Sequence, residues 1–238
     1  MLKLTLAKTL ILSLFFVASL VSAHNDKQAF IDFMLPAIRK AQYQILAQRQ
    51  LIEHYYQQCS KTKHLLPAQM ARLNQLNVEY KLPTITRCSD SNWKILLRRI
   101  DIIPASLALA QAIHESGWGR SRFAQEGHNY FGQWCYEAGC GMVPFKRSAQ
   151  ARFEVRKFES VYQSVKHYMY NLNTHDAYLK LRIMRSTLRA HDSKSLGIQL
   201  AQALESYSQK KETYGVKITN IIEQNNLDEF EMRHRTLS

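Results

Sequence analysis

The octapeptide AIHESGWG, Ala112 to Gly119, sets a single carboxylic acid, Glu115, at the end of an apolar run and directly ahead of two glycines. On a helix turning about 100° per residue from Pro104 onward, Ile103, Leu107, Ala110 and His114 fall on one side, and Leu109 and Ile113 on another. Ala108, Ala112 and Glu115 share a third face lined by small side chains. A helix that is apolar nearly all round is normally buried, so Glu115 is expected to be partly desolvated. Burial disfavours the ionised carboxylate. The negative end of the helix dipole disfavours it too, because Glu115 lies in the last turn. Both effects keep a proton on the acid near neutral pH. Such a group suits general acid work, for instance protonating the leaving oxygen of a glycosidic bond. The same spacing also fits an ordinary exposed glutamate beside a helix C-cap, and periodicity alone does not separate the two.

Several elements must position this helix. Gln28 to Gln58 carries one long helical pattern whose stripe is Phe30, Phe33, Met34, Ala37, Ile38, Ala41, Ile45, Ile52 and Tyr55, with Pro36 disturbing its start. Met70 to Tyr80 reads as a second helix, and Lys81 to Asn92 as irregular chain. Ser91 or Asn92 caps the next helix, which carries Trp93, Leu96, Leu97 and Ile100, and Pro104 opens the helix that leads to Glu115. From Gly119 to about Phe145 the chain is rich in glycine and aromatic residues. Ala151 to Phe158 alternates as a strand does, as half of a small hairpin. Ser160 is placed to cap a helix through Asn173, and three more helices are expected over Leu179 to Ala190, Leu196 to Tyr207 and Tyr214 to Gln224. The tail from Glu231 to Ser238 is expected to fray. The expected fold class is mainly α with one small β excursion.

The 238 residues suffice for one sizeable core. Lys3 and Lys8, the apolar run Thr9 to Val21 and the small residues Val21-Ser22-Ala23 read as a cleaved secretory signal rather than a permanent anchor. No cysteine stands directly after the apolar run, which argues against a lipid-modified N-terminus. Export makes Cys59, Cys88, Cys135 and Cys140 candidates for disulfides. Of three possible pairings, 59–88 with 135–140 is the local one. The spacings do not suit zinc, and neither a His-Glu-x-x-His nor a calcium loop is present, so no metal or other cofactor is expected. The formal charge of +13 is scattered along the chain rather than blocked. It is compatible with weak attraction to a polyanionic wall, while export and the lack of a recognisable motif argue against a nucleic-acid partner.

The segment IDIIPASLALAQAIHESGWGRSRFAQEGHNYFGQWC, Ile100 to Cys135, resembles the bacterial glucosaminidase family of peptidoglycan hydrolases, glycoside hydrolase family seventy-three, in its Bax-type branch. The likeness continues through Gly139 to Pro144, Tyr168 to Arg182, Leu200 to Ser208 and Tyr214 to Leu227, and extends weakly upstream over Phe30 to Ile38. It implies a lysozyme-like helical lobe with a small β-hairpin lobe and a cleft between them. The domain then spans residues 91–230, behind a signal at 1–23 and an N-terminal helical extension at 24–90. The activity implied is that of an endo-β-N-acetylglucosaminidase, cleaving the β-1,4 bond after N-acetylglucosamine in glycan strands outside the cytoplasm, in the periplasm or beyond. The expected state is a monomer with no membrane anchor once the signal is removed.

Carried over by position, the resemblance makes Glu115 the catalytic acid and Tyr214, in ETYG, a cleft tyrosine that assists it. Tyr168 and Asn173 are expected to face the same cleft. Tyr130 stands where the family has leucine and is read as a groove-lining, substrate-binding residue. GHNYFG resembles the family's GNNLFG, with Asn129 expected to fix that loop through side-chain to backbone bonds. A second carboxylate is the gap: Met142 to Gln150 holds no acid, and Glu137 and Glu154 are the nearby candidates. Transglycosylase or muramidase chemistry on the same fold, or wall binding without turnover, are the alternatives.

Overall fold

The computed structural model of the chain describes residues 2–88, 92–145, 147–148, 150–189, 195–204 and 211–232, with side chains from residue 25 onward and, in the last segment, from 213. Ser91, the C-terminal ends of two expected helices (190 and 205–207), and the tail residues 233–238 lie outside the described residues, as do the side chains of the proposed signal.

The fold is mainly α with a small antiparallel sheet, consistent with a lysozyme-like architecture. A long helix α1 (Leu2–Thr62) contains Pro36 within it. Helices α2 (Pro67–Glu79), α3 (Asn92–Arg99) and α4 (Ala105–Ser116) follow. The stripe on α1 is buried through Phe30, Met34, Ile38, Ala41, Ile45 and Ile52, whereas Phe33, expected on that stripe, is 49% exposed. Helix α4 is the axis of the molecule. Every residue from Ala105 to Ile113 is buried, and the helix packs against α1, α8 (Leu196–Ala201) and α9 (Lys211–Gln224). Its all-round apolarity is thus satisfied by neighbours on several sides.

The first turn of α4 has no side-chain cap of its own, because Pro104 occupies the N-cap position. Glu231 supplies one from the far end of the chain. Its Oε2 accepts from the Ala105 amide at 3.2 Å and its Oε1 from the Ser106 amide at 3.4 Å, and the Ser106 hydroxyl also donates to it. A carboxylate at the positive end of a helix dipole is favourably placed. The tail is therefore anchored at Glu231, where fraying was expected to begin.

Between α5 (Arg122–Gly127) and α6 (Val161–Thr174) lie three short strands: β1 (Trp134–Cys135), β2 (Gly141–Met142) and β3 (Glu154–Arg156). The order is β1-β3-β2, both pairings antiparallel, with Trp134 opposite Val155 and Met142 opposite the same residue. The expected strand pairs antiparallel with the strand before it, β2, as half of a hairpin, and β1 adds to its other edge. Ser160 caps α6, accepting from the Gln163 amide. Helix α7 (Leu179–Arg189) follows a 3-10 turn at Asp176–Tyr178. Disulfides join Cys59 to Cys88 and Cys135 to Cys140. Among the described residues no helix is long and apolar enough to cross a membrane.

Candidate active site

Glu115 sits in the last turn of α4, where the buried face of the helix runs out and the side chain is left half-buried. Gly117 ends the helix in the left-handed conformation, φ +58°, which an L side chain adopts only at a cost. Ser116 secures the turn: its hydroxyl donates to the Ala112 carbonyl at 2.6 Å and accepts from the Gly119 amide at 2.8 Å. The backbone is thereby led away behind the acid while the carboxyl stays in place.

Helix α9 buries Tyr214, Ile218 and Ile222, four residues apart on one stripe, and packs on α4. That packing delivers the Tyr214 hydroxyl to Glu115, donating to Oε1 at 2.8 Å. Behind it, Gln111 Nε2 donates to the Tyr214 oxygen at 3.0 Å, and the Tyr168 hydroxyl donates to Gln111 Oε1 at 2.5 Å. A file of four side chains, from α6, α4, α9 and α4 again, therefore ends on the acid. Burial raises the Glu115 pKa, and the bond from Tyr214 offsets only part of that. Burial also raises Tyr214, Tyr168 and Tyr178, the last to about 12, with the nearby Glu115 charge adding to each. All three phenols stay protonated at any pH where Glu115 changes state.

The other oxygen of Glu115 faces the β-lobe. A Cβ placed on Gly132, which has φ +63°, would lie 3.4 Å from Glu115 Oε2. The loop that carries Gly132 is tied down by Asn129. Asn129 Nδ2 donates to the carbonyls of Gln133 (2.8 Å) and Arg156 (2.9 Å), and its Oδ1 accepts from the amides of Gln133 (3.0 Å) and Phe131 (3.4 Å). Phe131 is buried and stacks on Tyr168, ring centroids 4.0 Å apart. Just beyond the loop, Trp134 is 47% exposed and stacks on Phe153 at 4.4 Å. Gly132→Ala is expected to lower activity about tenfold or more by setting a methyl against the acid. The left-handed φ adds a stability cost of about 1–2 kcal/mol. Turnover and a thermal melt check both effects, and full activity in the variant would place the reacting oxygen elsewhere.

Residues 90–227 match the model of the glucosaminidase family, described as mannosyl-glycoprotein endo-beta-N-acetylglucosaminidase. The chain belongs to the glucosaminidase family. It is also 35% identical over 189 residues to Protein bax of Escherichia coli (strain K12), covering 79% of this chain and 65% of that protein. The match thus spans just under two thirds of the length of that relative. The half-buried acid at the end of α4, its pKa raised by burial, lies within the matched residues.

Within this glucosaminidase domain the other expected site residues separate. Tyr168 is buried, and its hydrogen-bonded path to Glu115 runs through Gln111 and Tyr214. Asn173 is not at the site: its Nδ2 donates to the Asp101 carbonyl at 2.9 Å, and its Oδ1 accepts from Arg185 at 2.8 Å, inside the helical core. Tyr130 is buried between Phe30 and Phe33, with ring centroids 6.2 and 5.8 Å away, and so joins α1 to the loop rather than lining a groove. Of the candidate second acids, Glu137 is exposed, and Glu154 is committed to the sheet. Both Glu154 oxygens accept backbone amides, Gly139 at 3.0 Å and Gly141 at 2.8 Å, and these bonds hold its pKa below the ordinary value. Cys135, Cys140 and Glu154 group as metal donors would, but the two sulfurs are bonded to each other and the carboxylate is taken by the amides. A surface hollow of about 1020 Å³ lies beside Cys59–Cys88, lined by Tyr56, Trp93 and Lys63 among others, and shares no residue with the Glu115 file.

Gln111 and Gly132 were not legible as site residues. The signal for Gln111 is an amide in an otherwise apolar helix, one turn before the acid and on nearly the same face.

Proposed function

We propose that this chain is an exported peptidoglycan hydrolase of the Bax-type branch of glycoside hydrolase family seventy-three. It cleaves the β-1,4 bond after N-acetylglucosamine, with Glu115 as general acid. The observation that carries the reading is the half-buried Glu115 carboxyl, its pKa raised by burial, with one oxygen bonded to Tyr214 and the other turned to the β-lobe. Glu115 gives its proton to the glycosidic oxygen as the bond from the sugar C1 to that oxygen breaks and the sugar's own acetamido oxygen bonds to C1. Water then displaces the acetamido oxygen at C1, and the water's proton returns to the Glu115 carboxylate. Tyr214 holds the carboxyl in place and stabilises the carboxylate that remains. The exposed face of Trp134 offers an apolar plane for a sugar ring. The two disulfides suit an oxidising compartment outside the cytoplasm, in keeping with a signal at 1–23, an extension at 24–90 and a catalytic domain at 91–230.

Lytic transglycosylase chemistry is the second reading, favoured by the engagement of Glu154 with backbone amides. There a hydroxyl of the substrate itself closes on C1 and no second carboxylate activates water. Substrate-assisted hydrolysis by the acetamido group meets the same constraint. The test is to digest peptidoglycan with the purified protein and identify the new ends by mass spectrometry. Reducing N-acetylglucosamine ends are expected. Anhydromuramic ends would establish the second reading instead, and reducing muramic acid ends a muramidase.

A further inference from the structure

The four-residue file behind Glu115 has a direction, and the direction decides which carboxyl oxygen carries the acid proton. Gln111 is fully buried, and its amide is held at both ends by phenols. The contact to Tyr168, at 2.5 Å, is a length for O–H···O and too short for N–H···O. The contact to Tyr214, at 3.0 Å, is the ordinary N–H···O length. The amide oxygen therefore faces Tyr168 and its nitrogen faces Tyr214. With Gln111 donating to it, the Tyr214 oxygen is already an acceptor on that side. Its own single proton is left for Glu115 Oε1, 2.8 Å away. The carbonyl oxygen of a neutral carboxyl is its better acceptor, so the phenol's bond to Oε1 favours the proton on Oε2.

We infer that Gln111 is a positioning residue: by fixing Tyr214 as a donor to Oε1, it favours the proton of neutral Glu115 on Oε2, the oxygen beside Gly132 and the β-lobe. With the amide reversed, Tyr214 would donate to Gln111. Neutral Glu115 would then donate to Tyr214 from Oε1, and its proton would point into the core, away from any substrate. The orientation of one buried amide thus separates a usable acid from an idle one. The same bond also favours the carboxylate that is left after proton transfer, because Tyr214 donates to Glu115 in both states. The titratable groups set against Glu115 are the phenols of Tyr214 on α9, Tyr168 on α6 and Tyr178 in the 3-10 turn. His114, the neighbour on α4, packs edge-on against Tyr214 and lies in the field of Lys217.

This deepens the glycosidase reading and rests on it for the use made of the proton, so the test has one readout that needs no substrate. The Glu115 carboxyl is titrated by carbon-13 NMR in the full protein and in Gln111→Met, Tyr214→Phe and the double variant, and kcat and KM are measured on glycan strands. Gln111→Met lets neutral Glu115 donate inward, so its acid ionisation constant is expected to fall about threefold, and about tenfold in Tyr214→Phe, where the donor is lost altogether. kcat falls about tenfold in Gln111→Met, while KM holds because Gln111 has no exposed surface. The double variant matches Tyr214→Phe, since Gln111 acts only through that hydroxyl. Gln111→Glu, whose carboxylate accepts from both phenols, serves as a second probe should the methionine variant not fold, and its expected effect on Glu115 is larger. An unchanged Glu115 titration in the Gln111 variants, or kcat losses that multiply in the double variant, overturns the inference. A protein that cleaves no glycan strand while Glu115 shifts as stated overturns the assigned reaction and upholds the file.

Discussion

Glu115→Gln is expected to fold normally and to lose roughly 10²–10⁴-fold in cleavage of glycan strands, the usual contribution of a general acid. Glutamine matches glutamate in shape and can still accept from Tyr214 with its amide oxygen, so the file behind the acid survives. What disappears is the transferable proton facing the β-lobe. Stability should hold or rise. Because folding raises the Glu115 pKa, the folded protein loses stability as pH climbs from the unfolded value through the folded one, and the glutamine variant is spared that loss. The wild-type rate should fall over the same direction of pH, as the acid becomes ionised. Comparing initial rates across pH with melting curves at each pH checks both limbs. A variant that cleaves as fast as the parent would move the acid to another residue and leave Glu115 as a half-buried helix terminus.

That Glu115 stood out in the sequence follows from a local rule. Nine consecutive buried residues stand ahead of it on α4, with the exposed His114 between. Their apolarity, visible without tertiary information, singles the acid out as a candidate for desolvation, which the packing of α9 then separates from an exposed C-cap glutamate. The caps at Ser160 and the glycine turn at Gly117 are legible for the same reason, being set by neighbours in the chain. Gln111 was not. Its partner Tyr214 is 103 residues away, and nothing in the spacing of either states that they meet. Tyr130 and Asn173 show the converse failure. Both belong to segments that approach the site, yet one side chain turns to Phe30 and Phe33 on α1 and the other to Asp101 and Arg185. Position along a motif says which loop a residue sits on, while the packing of distant helices decides which way it points. The sheet is a third instance. The alternation from Ala151 to Phe158 identified a strand, but its place between β1 and β2 depends on how the Cys135–Cys140 turn folds back. Glu231 is a fourth, since its worth lies in an amide pair 126 and 125 residues upstream.

Asp101 carries the largest expected effect on stability, and it sits four residues before α4 begins. Its carboxylate is buried among three guanidiniums. Arg189 hydrogen-bonds it through Nε at 3.0 Å, and Arg185 and Arg49 approach at 3.6 and 3.7 Å. Arg185, itself fully buried, donates to the carbonyls of Asp101 (3.1 Å), Ile102 (3.2 Å) and Arg98 (2.9 Å) and to Asn173 Oδ1. The Asp101 carboxylate thus ties α1 and α7 to the segment that launches α4, and Arg185 extends the cluster to α3 and α6. Asp101→Asn keeps the shape but leaves the Arg185 charge without its counter-ion, and removing one partner of a buried pair costs about 3–5 kcal/mol. For a domain of this size that is roughly 6–20 °C in Tm. Arg189→Ala, which removes the most exposed of the three cations, should cost far less, about 1 kcal/mol. Burial alone would raise the Asp101 pKa, but Arg185, Arg189 and Arg49 together hold it below the ordinary carboxylate value. Its contribution is therefore complete above the unfolded pKa, about 3.9, and is lost as pH falls through the folded one. The difference in Tm between parent and Asp101→Asn should accordingly be constant at neutral pH and narrow in acid. Calorimetric melts at pH 7 and at successive steps below pH 4 decide it: a difference under about 2 °C at neutral pH, or one that widens in acid, would show that the cations and not the carboxylate hold the cluster together.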